Sequence, residues 1–242
     1  MWPGYMTGTV VRSAGAGRRR LGIVSHIDPI ERFRSLVAED AGIVPLNDAI
    51  AAALGREPSG AARVLDAAGR CTAGDASELA AFVWDDLGLR GDEETYDSLE
   101  NSFVGEALVR RRGIPITIAA VALGVASIVG IELDGIGMPG HFLVRERGGS
   151  GRYFDLFHGP RPLDADQCRQ LCGAVTGSSR WSADFLDPVG ANAMAMRMLT
   201  NLKSIYRRSG MDRSLRTVML LRRTYLGDGE REEFARLMRP TN

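Results

Sequence analysis

His141 and Asp155 are the residues of this 242-residue chain whose types and spacing point most directly to chemistry. They lie in two extended runs, 140–146 and 152–157, separated by Arg147, Gly148, Gly149, Ser150 and Gly151. In the first run Phe142 and Val144 fall on one side and His141, Leu143 and Arg145 on the other. That is the period-2 pattern of a half-buried strand. With a glycine-rich turn between them, the two runs predict a β-hairpin. In the symmetric register centred on Gly148, Arg145 faces Gly151 and His141 faces Asp155. Directly opposed residues share a sheet face with Cβ atoms about 4.5–5.5 Å apart, so the imidazole and the carboxylate can hydrogen-bond. Such a pair has two readings. One is a brace for the hairpin. The other is the orienting pair of a nucleophilic site, in which the carboxylate fixes the imidazole tautomer and raises its pKa. A slip of one residue would send the two groups to opposite faces.

The second reading needs a nucleophile, and a helix N-terminus is the place that favours a thiolate. The helix that could supply it is 116–129, ended by Gly130. It lies in an uncharged stretch, 114–131, that follows Arg110, Arg111 and Arg112. Its 18 residues reach the lower edge of a membrane-spanning length. Pro115, Thr117, Gly124, Ser127 and the high alanine content favour a buried central helix instead. The entry reads Gly113-Ile114-Pro115-Ile116-Thr117 and contains no cysteine. Thr117 is the nearest hydroxyl, and a threonine nucleophile needs a strong local base.

The remaining elements frame this centre. Residues 28–41 read as a helix with Asp28 as cap and Pro29 in the first turn. Residues 45–54 form a second helix with Asn47 as its cap, 61–68 a weaker one, and 76–87 a third amphipathic one. Residues 88–96 are acidic and read as a loop. Residues 102–109 form a helix ending in the arginine run. Asp164 and Gln167 mark a capping pattern for a short helix, and 185–189 reads as a linker. From residue 191 the chain is helical again, with Met194, Met198, Leu202 and Ile205 on one stripe.

Composition limits the functions open to the chain. Forty-five per cent hydrophobic and 25% charged residues make an ordinary globular mixture. Thirty basic residues against 30 acidic leave no cationic excess, which argues against nucleic acid or an acidic membrane surface as partner. Three cysteines, Cys71, Cys168 and Cys172, do not make a disulfide framework, which points to a reducing, cytoplasmic compartment. No apolar run of signal-peptide length follows Arg18, Arg19 and Arg20, so 1–27 reads as a flexible N-terminus. Lys203 is the sole lysine, which confines Schiff-base chemistry to one position.

Several short motifs, in order, resemble the SirB1 family, a branch of the transglutaminase-like superfamily. They are Asn101-Ser102-Phe103, the run from Arg110 through Ile116, Pro139-Gly140-His141-Phe142-Leu143-Val144, and Phe154-Asp155-Leu156-Phe157. The match in order and spacing covers about residues 82–171, and 197–206 resembles the family's tetratricopeptide-like tail. The resemblance implies an α+β fold: a transglutaminase-like (papain-like) core with N-terminal helices and a C-terminal helical hairpin. It divides the chain into the N-terminus, a transglutaminase-like domain over 28–180 and a tetratricopeptide-like region over 190–240. It also implies a Cys–His–Asp site in which His141 and Asp155 match the histidine and the aspartate. The family's Gly-x-Cys matches Gly113-Ile114-Pro115, which puts Pro115 at the nucleophile position. Proline cannot attack a carbonyl. The expectation is therefore a degenerate, non-catalytic protein that binds a protein segment or small ligand in the inherited cleft, with a protein partner at the C-terminal helices. The alternative is a hydrolase or acyl transferase that uses the retained pair with water or an atypical nucleophile. No cofactor and no metal is implied.

Other residues are also of types that carry chemistry. Asn101 could donate to the site or cap the next helix. Arg112, with Arg110 and Arg111, could clamp an anion or simply close a helix end. Glu106 is an alternative acid or base. Cys168 and Cys172 share a helix face near His158, but three soft ligands without a fourth make a weak zinc signal, and buried helix cysteines are common.

Overall fold

The computed structural model describes residues 27–148, 151–227 and 229–237. The expected flexible N-terminus lies outside them except for Ile27. Asp28 caps α1 (Pro29–Ala38), accepting from the Ile30 N–H at 2.9 Å, with Pro29 as the first helical residue. In α2 (Ile43–Ala53) the expected cap, Asn47, lies inside the helix and is buried. Its amide donates to the Ser102 carbonyl at 2.9 Å and its oxygen accepts from the Val104 N–H at 2.8 Å, so it ties two distant segments together. The neighbouring Asp48 accepts from the Gly60 and Ala61 N–H groups at 2.7 and 2.8 Å, satisfying the start of α3 (Gly60–Arg70). α4 (Ala76–Ala81) widens into a π-helical turn, Phe82–Asp86, that buries Phe82 and Val83 and leaves Trp84 half-exposed.

The segment expected as a polar loop instead contains β1 (Arg90–Gly91), paired in parallel with β2 (Arg112–Gly113) on the far side of α5 (Val104–Arg110). A side chain at Gly91 would come within 2.6 Å of the Phe157 carbonyl oxygen, so this close approach requires glycine. Next comes α6 (Pro115–Val129), buried along most of its length and ended by Gly130 in the left-handed conformation at φ 85°. Among the described residues no helix is long and apolar enough to cross a membrane.

Behind α6 stands a five-stranded antiparallel sheet in the order β6-β5-β4-β3-β7: β3 (Leu133–Ile136), β4 (Leu143–Glu146), β5 (Tyr153–Phe154), β6 (Pro162–Leu163) and β7 (Pro188–Val189). β7 falls where a linker was expected. The hairpin register differs from expectation by two residues: Val144 pairs with Phe154, and Arg145 with Tyr153 rather than Gly151. A two-residue shift preserves which face each side chain occupies. Phe142, Val144 and Phe154 enter the main core with α6. Ile136, Leu143 and Tyr153 enter a second core with Cys168 and Cys172 of α7 (Ala165–Thr176). The Asp164–Gln167 capping box opens α7 as the pattern predicts.

α8 (Ala191–Arg208), α9 (Asp212–Leu226) and α10 (Arg231–Leu237) complete the chain. Met194, Met198 and Leu202 are buried, and Ile205 is half-buried. The Phe33 and Tyr225 rings meet edge to face at 5.9 Å, and one main core runs from Phe33 to Leu221. The fold is α+β: a buried central helix against a small antiparallel sheet, with helices before it and a C-terminal helical group after it.

Candidate functional site

β4 begins two residues after His141, and β5 ends one residue before Asp155. Both residues therefore leave the sheet at the same end. His141 Nε2 lies 2.8 Å from Asp155 Oδ1, with 3% of His141 and 5% of Asp155 exposed. After Asp155 the chain makes a tight turn in which the Gly159 N–H donates to the Asp155 carbonyl at 3.0 Å. That turn carries His158 back over the carboxylate, with Nδ1 2.6 Å from Asp155 Oδ2. The Phe157 N–H adds a bond to Oδ1 at 3.1 Å. Burial opposes the charge on Asp155, but the two imidazoles outweigh it and hold the carboxyl below the usual carboxylate range. The two imidazole rings lie 5.4 Å apart between centres, and the edge of Phe157 packs against both.

Two outside elements position this cluster. Arg197 of α8 donates to the His141 carbonyl at 2.7 Å and lies over the Phe142 ring. The entry of α6 is joined through Phe157: Gly113 pairs with Gly91, whose N–H donates to the Phe157 carbonyl at 3.1 Å. Pro115 is the first residue of α6 and is buried. On the other side of the cluster is an open groove of about 730 Å³, lined by Asp155 and His158 together with Trp84, Arg161, Gln167 and Leu171. That is the size range of small-molecule sites.

The other sequence candidates go elsewhere. The Thr117 hydroxyl is fully buried and has no hydrogen-bond partner among the described residues, so no base is in place to take its proton. Asn101 neither reaches the pair nor caps α5. Its amide donates to Asp92 Oδ2 at 3.0 Å and to the Thr95 carbonyl at 2.7 Å, and its oxygen accepts from Arg110 at 2.9 Å. Arg112 is exposed on β2, where it pairs with Arg90 through the backbone. Glu106 is held by Arg56 at 2.5 Å. Lys203 is engaged by Glu230 and Glu233 at 2.6 and 2.7 Å. Cys168 and Cys172 are free thiols in the second core, and burial pushes the Cys168 thiol up to about 12. His158 turns towards Asp155, not towards the cysteines. The signal for its place was the Asp-x-x-His spacing followed by Gly159, which fits one helical turn.

The chain thus has a central helix against an antiparallel sheet, with a buried His–Asp pair at one end of that sheet. The family model for the transglutaminase-like superfamily matches residues 48–200, and the chain belongs to that superfamily. Among relatives, a UPF0162 protein of Xylella fastidiosa is 36% identical over 130 residues, 52% of this chain and 46% of the relative. The human F-box only protein 21 is 28% identical over 141 residues, 54% of this chain and 22% of the relative. A UPF0162 protein of Vibrio cholerae is 33% identical over 63 residues, 26% of this chain and 23% of the relative. The match thus spans about half the length of the Xylella relative. No solved structure matches the chain.

Proposed function

We propose that this chain is a non-catalytic, SirB1-type member of the superfamily. In this reading the groove beside His141, Asp155 and His158 receives a protein segment or small ligand, and no acyl-enzyme forms. The observation that carries the proposal is the start of α6, where the residue matched to the superfamily's nucleophile is Pro115. Cys168 and Cys172 lie in the second core, and Cys71 sits at the end of α3 against the main core. Arg161, Gln167 and His158 offer polar contacts to an anionic or amide-bearing ligand, and Trp84 and Leu171 offer apolar ones. The inner stripe of α8 is committed to the core, so a second protein partner, as the tetratricopeptide-like reading has it, would use the outer faces of α8 and α9. Free cysteines suit a reducing, cytoplasmic setting.

A second reading, a hydrolase or acyl transferase using water, draws support from the 2.8 Å His141–Asp155 contact. One experiment separates the two. The purified chain is treated with thiol- and hydroxyl-directed electrophiles, offered model amide and ester substrates, and, as a Trp2→Phe/Trp181→Phe variant that keeps Trp84 alone, titrated with a panel of short peptides and carboxylic acids while its fluorescence is followed. The binding protein shows no site-specific labelling and no turnover, but saturable quenching that is lost in His158→Ala. Turnover abolished by His141→Ala would overturn the proposal in favour of the second reading.

A further inference from the structure

The geometry points to a divalent transition-metal site of the zinc class built from His141 Nε2, His158 Nδ1 and a carboxylate oxygen of Asp155. One donor atom from each of the three residues lies within 4.8 Å of the others, the sole such group of three among the described residues. Two imidazoles and one carboxylate form a known catalytic-type zinc donor set that leaves further positions open. With zinc–nitrogen bonds of about 2.0–2.1 Å in a tetrahedron, two ligand imidazoles have ring centres roughly 5 Å apart. Here the centres are 5.4 Å apart and the ring planes 18° from parallel.

The surroundings fit the same assignment. A ligating carboxylate is ordinarily held by outer hydrogen bonds, and a ligating histidine has a carboxylate or carbonyl beside its other nitrogen. Asp155 Oδ1 accepts from the Phe157 N–H. Glu93 lies 3.9 Å from His158 Nε2, where a carboxylate would favour the proton on that nitrogen and leave Nδ1 for the metal. The Arg197 bond to the His141 carbonyl fixes the backbone from which that ring projects. A hairpin brace needs only one histidine. The second, His158, has 46% of its side chain exposed and could satisfy itself in water, yet its Nδ1 points at the buried carboxylate. Asp155 and His158 also line the groove, so a groove ligand has access to the open coordination positions. The inference rests on this donor set and stands independently of what the groove binds.

The test uses the full chain without a histidine tag, stripped with a chelator and titrated calorimetrically with Zn²⁺ and spectroscopically with Co²⁺. We expect one equivalent to bind, visible absorption of cobalt(II) in a four-coordinate nitrogen/oxygen site, and a Kd raised more than about 100-fold in His158→Ala, beyond the 10–100-fold that outer-shell changes cost. Asp155→Asn gives a second ligand test. The double variant Cys168→Ser/Cys172→Ser should bind as the wild type does. No binding, binding undiminished in His158→Ala, or a thiolate-to-cobalt band lost in the cysteine variant would each overturn the site. Groove-ligand quenching measured on the stripped protein tests the proposed function separately, so one can fail while the other stands.

Discussion

Asp92 and Asp155 are both buried carboxylates with several hydrogen-bond donors and both are held below the ordinary carboxylate range, yet they sit in different kinds of place. The donors of Asp92 are the Thr95 N–H and hydroxyl, Asn101 and Arg110, all within a short stretch of chain. The network closes on itself through the Arg110–Asn101 bond. The side-chain partners of Asp155 are imidazoles, which can also serve as metal or hydrogen-bond ligands, and one of them opens on a groove. Burial and a shifted pKa therefore do not distinguish a site from a brace in this molecule. What distinguishes them is whether the partners can be reached and can take another ligand.

If Asp92 is the brace, removing it should show mainly in stability. Asp92→Ala removes the acceptor of the Thr95 N–H and hydroxyl and one acceptor each from Asn101 and Arg110, and should cost about 3 kcal/mol, read as a lower urea midpoint with an unchanged slope. A loss below about 1 kcal/mol, the worth of one ordinary hydrogen bond, would mean that the network is not structural.

The same contrast has a pH signature. Burial pushes the Asp92 carboxyl up, but Thr95, Asn101 and Arg110 outweigh it and hold it at about 2. The unfolded value is about 3.9, so the folded pKa is the lower of the two, and the stabilisation is complete above about pH 4 and lost as pH falls towards 2. It amounts to roughly 2 kcal/mol. Glu230 is also held at about 2, by Arg222 and Lys203, and titrates over the same range in wild type and variant alike. The stability difference between wild type and Asp92→Asn therefore isolates Asp92 and should shrink across that window. A difference that stays constant from pH 5 to pH 2 would remove the carboxylate's charge from the account.

The same two regions show what a sequence pattern can carry. The buried helix follows from an uncharged stretch closed by glycine, and the His141–Asp155 pairing follows from strand parity. The predicted register was two residues out, but face alternation has period 2, so the pair survived the error. β3 was missed because Asp134 and Gly135 break its apolar run. The acid is balanced by Arg145 and Arg147, 11 and 13 residues later, a pairing that no local pattern reveals. Asn47 looked like a cap because its type suits one, while its actual partners lie more than 50 residues away. Asp92 belongs to a run that reads as a polar loop, but a short β1–β2 pair and Arg110, 18 residues on, enclose it. Nearness in sequence groups His158 with Cys168 and Cys172, whereas the turn after Asp155 folds it back on the carboxylate.

A smaller effect concerns the reach of the C-terminal helices into the site. Arg197→Met keeps the apolar stem and removes the 2.7 Å bond to the His141 carbonyl. Burial already disfavours the Arg197 charge, so its loss is partly offset. The net cost should be about 1 kcal/mol. Groove-ligand affinity should fall further than stability does, because the bond fixes the backbone that carries His141. Equal binding in wild type and variant would separate α8 from the site.

The smallest stability effect should accompany the largest loss of binding. His158 is nearly half-exposed, and replacing it leaves Asp155 with His141 and the Phe157 N–H. The Oδ2 it releases lines the groove, where water can replace the imidazole, so His158→Ala should change stability by less than about 1 kcal/mol while groove-ligand quenching disappears. His141→Ala vacates a position with 3% exposure and should cost about 2 kcal/mol, as other buried truncations do. The outer histidine would then behave as a recognition group and the inner one as its support. If instead His158→Ala destabilised as much as Asp92→Ala, the imidazole would be bracing the turn, and Asp155 would belong with Asp92 among the structural carboxylates.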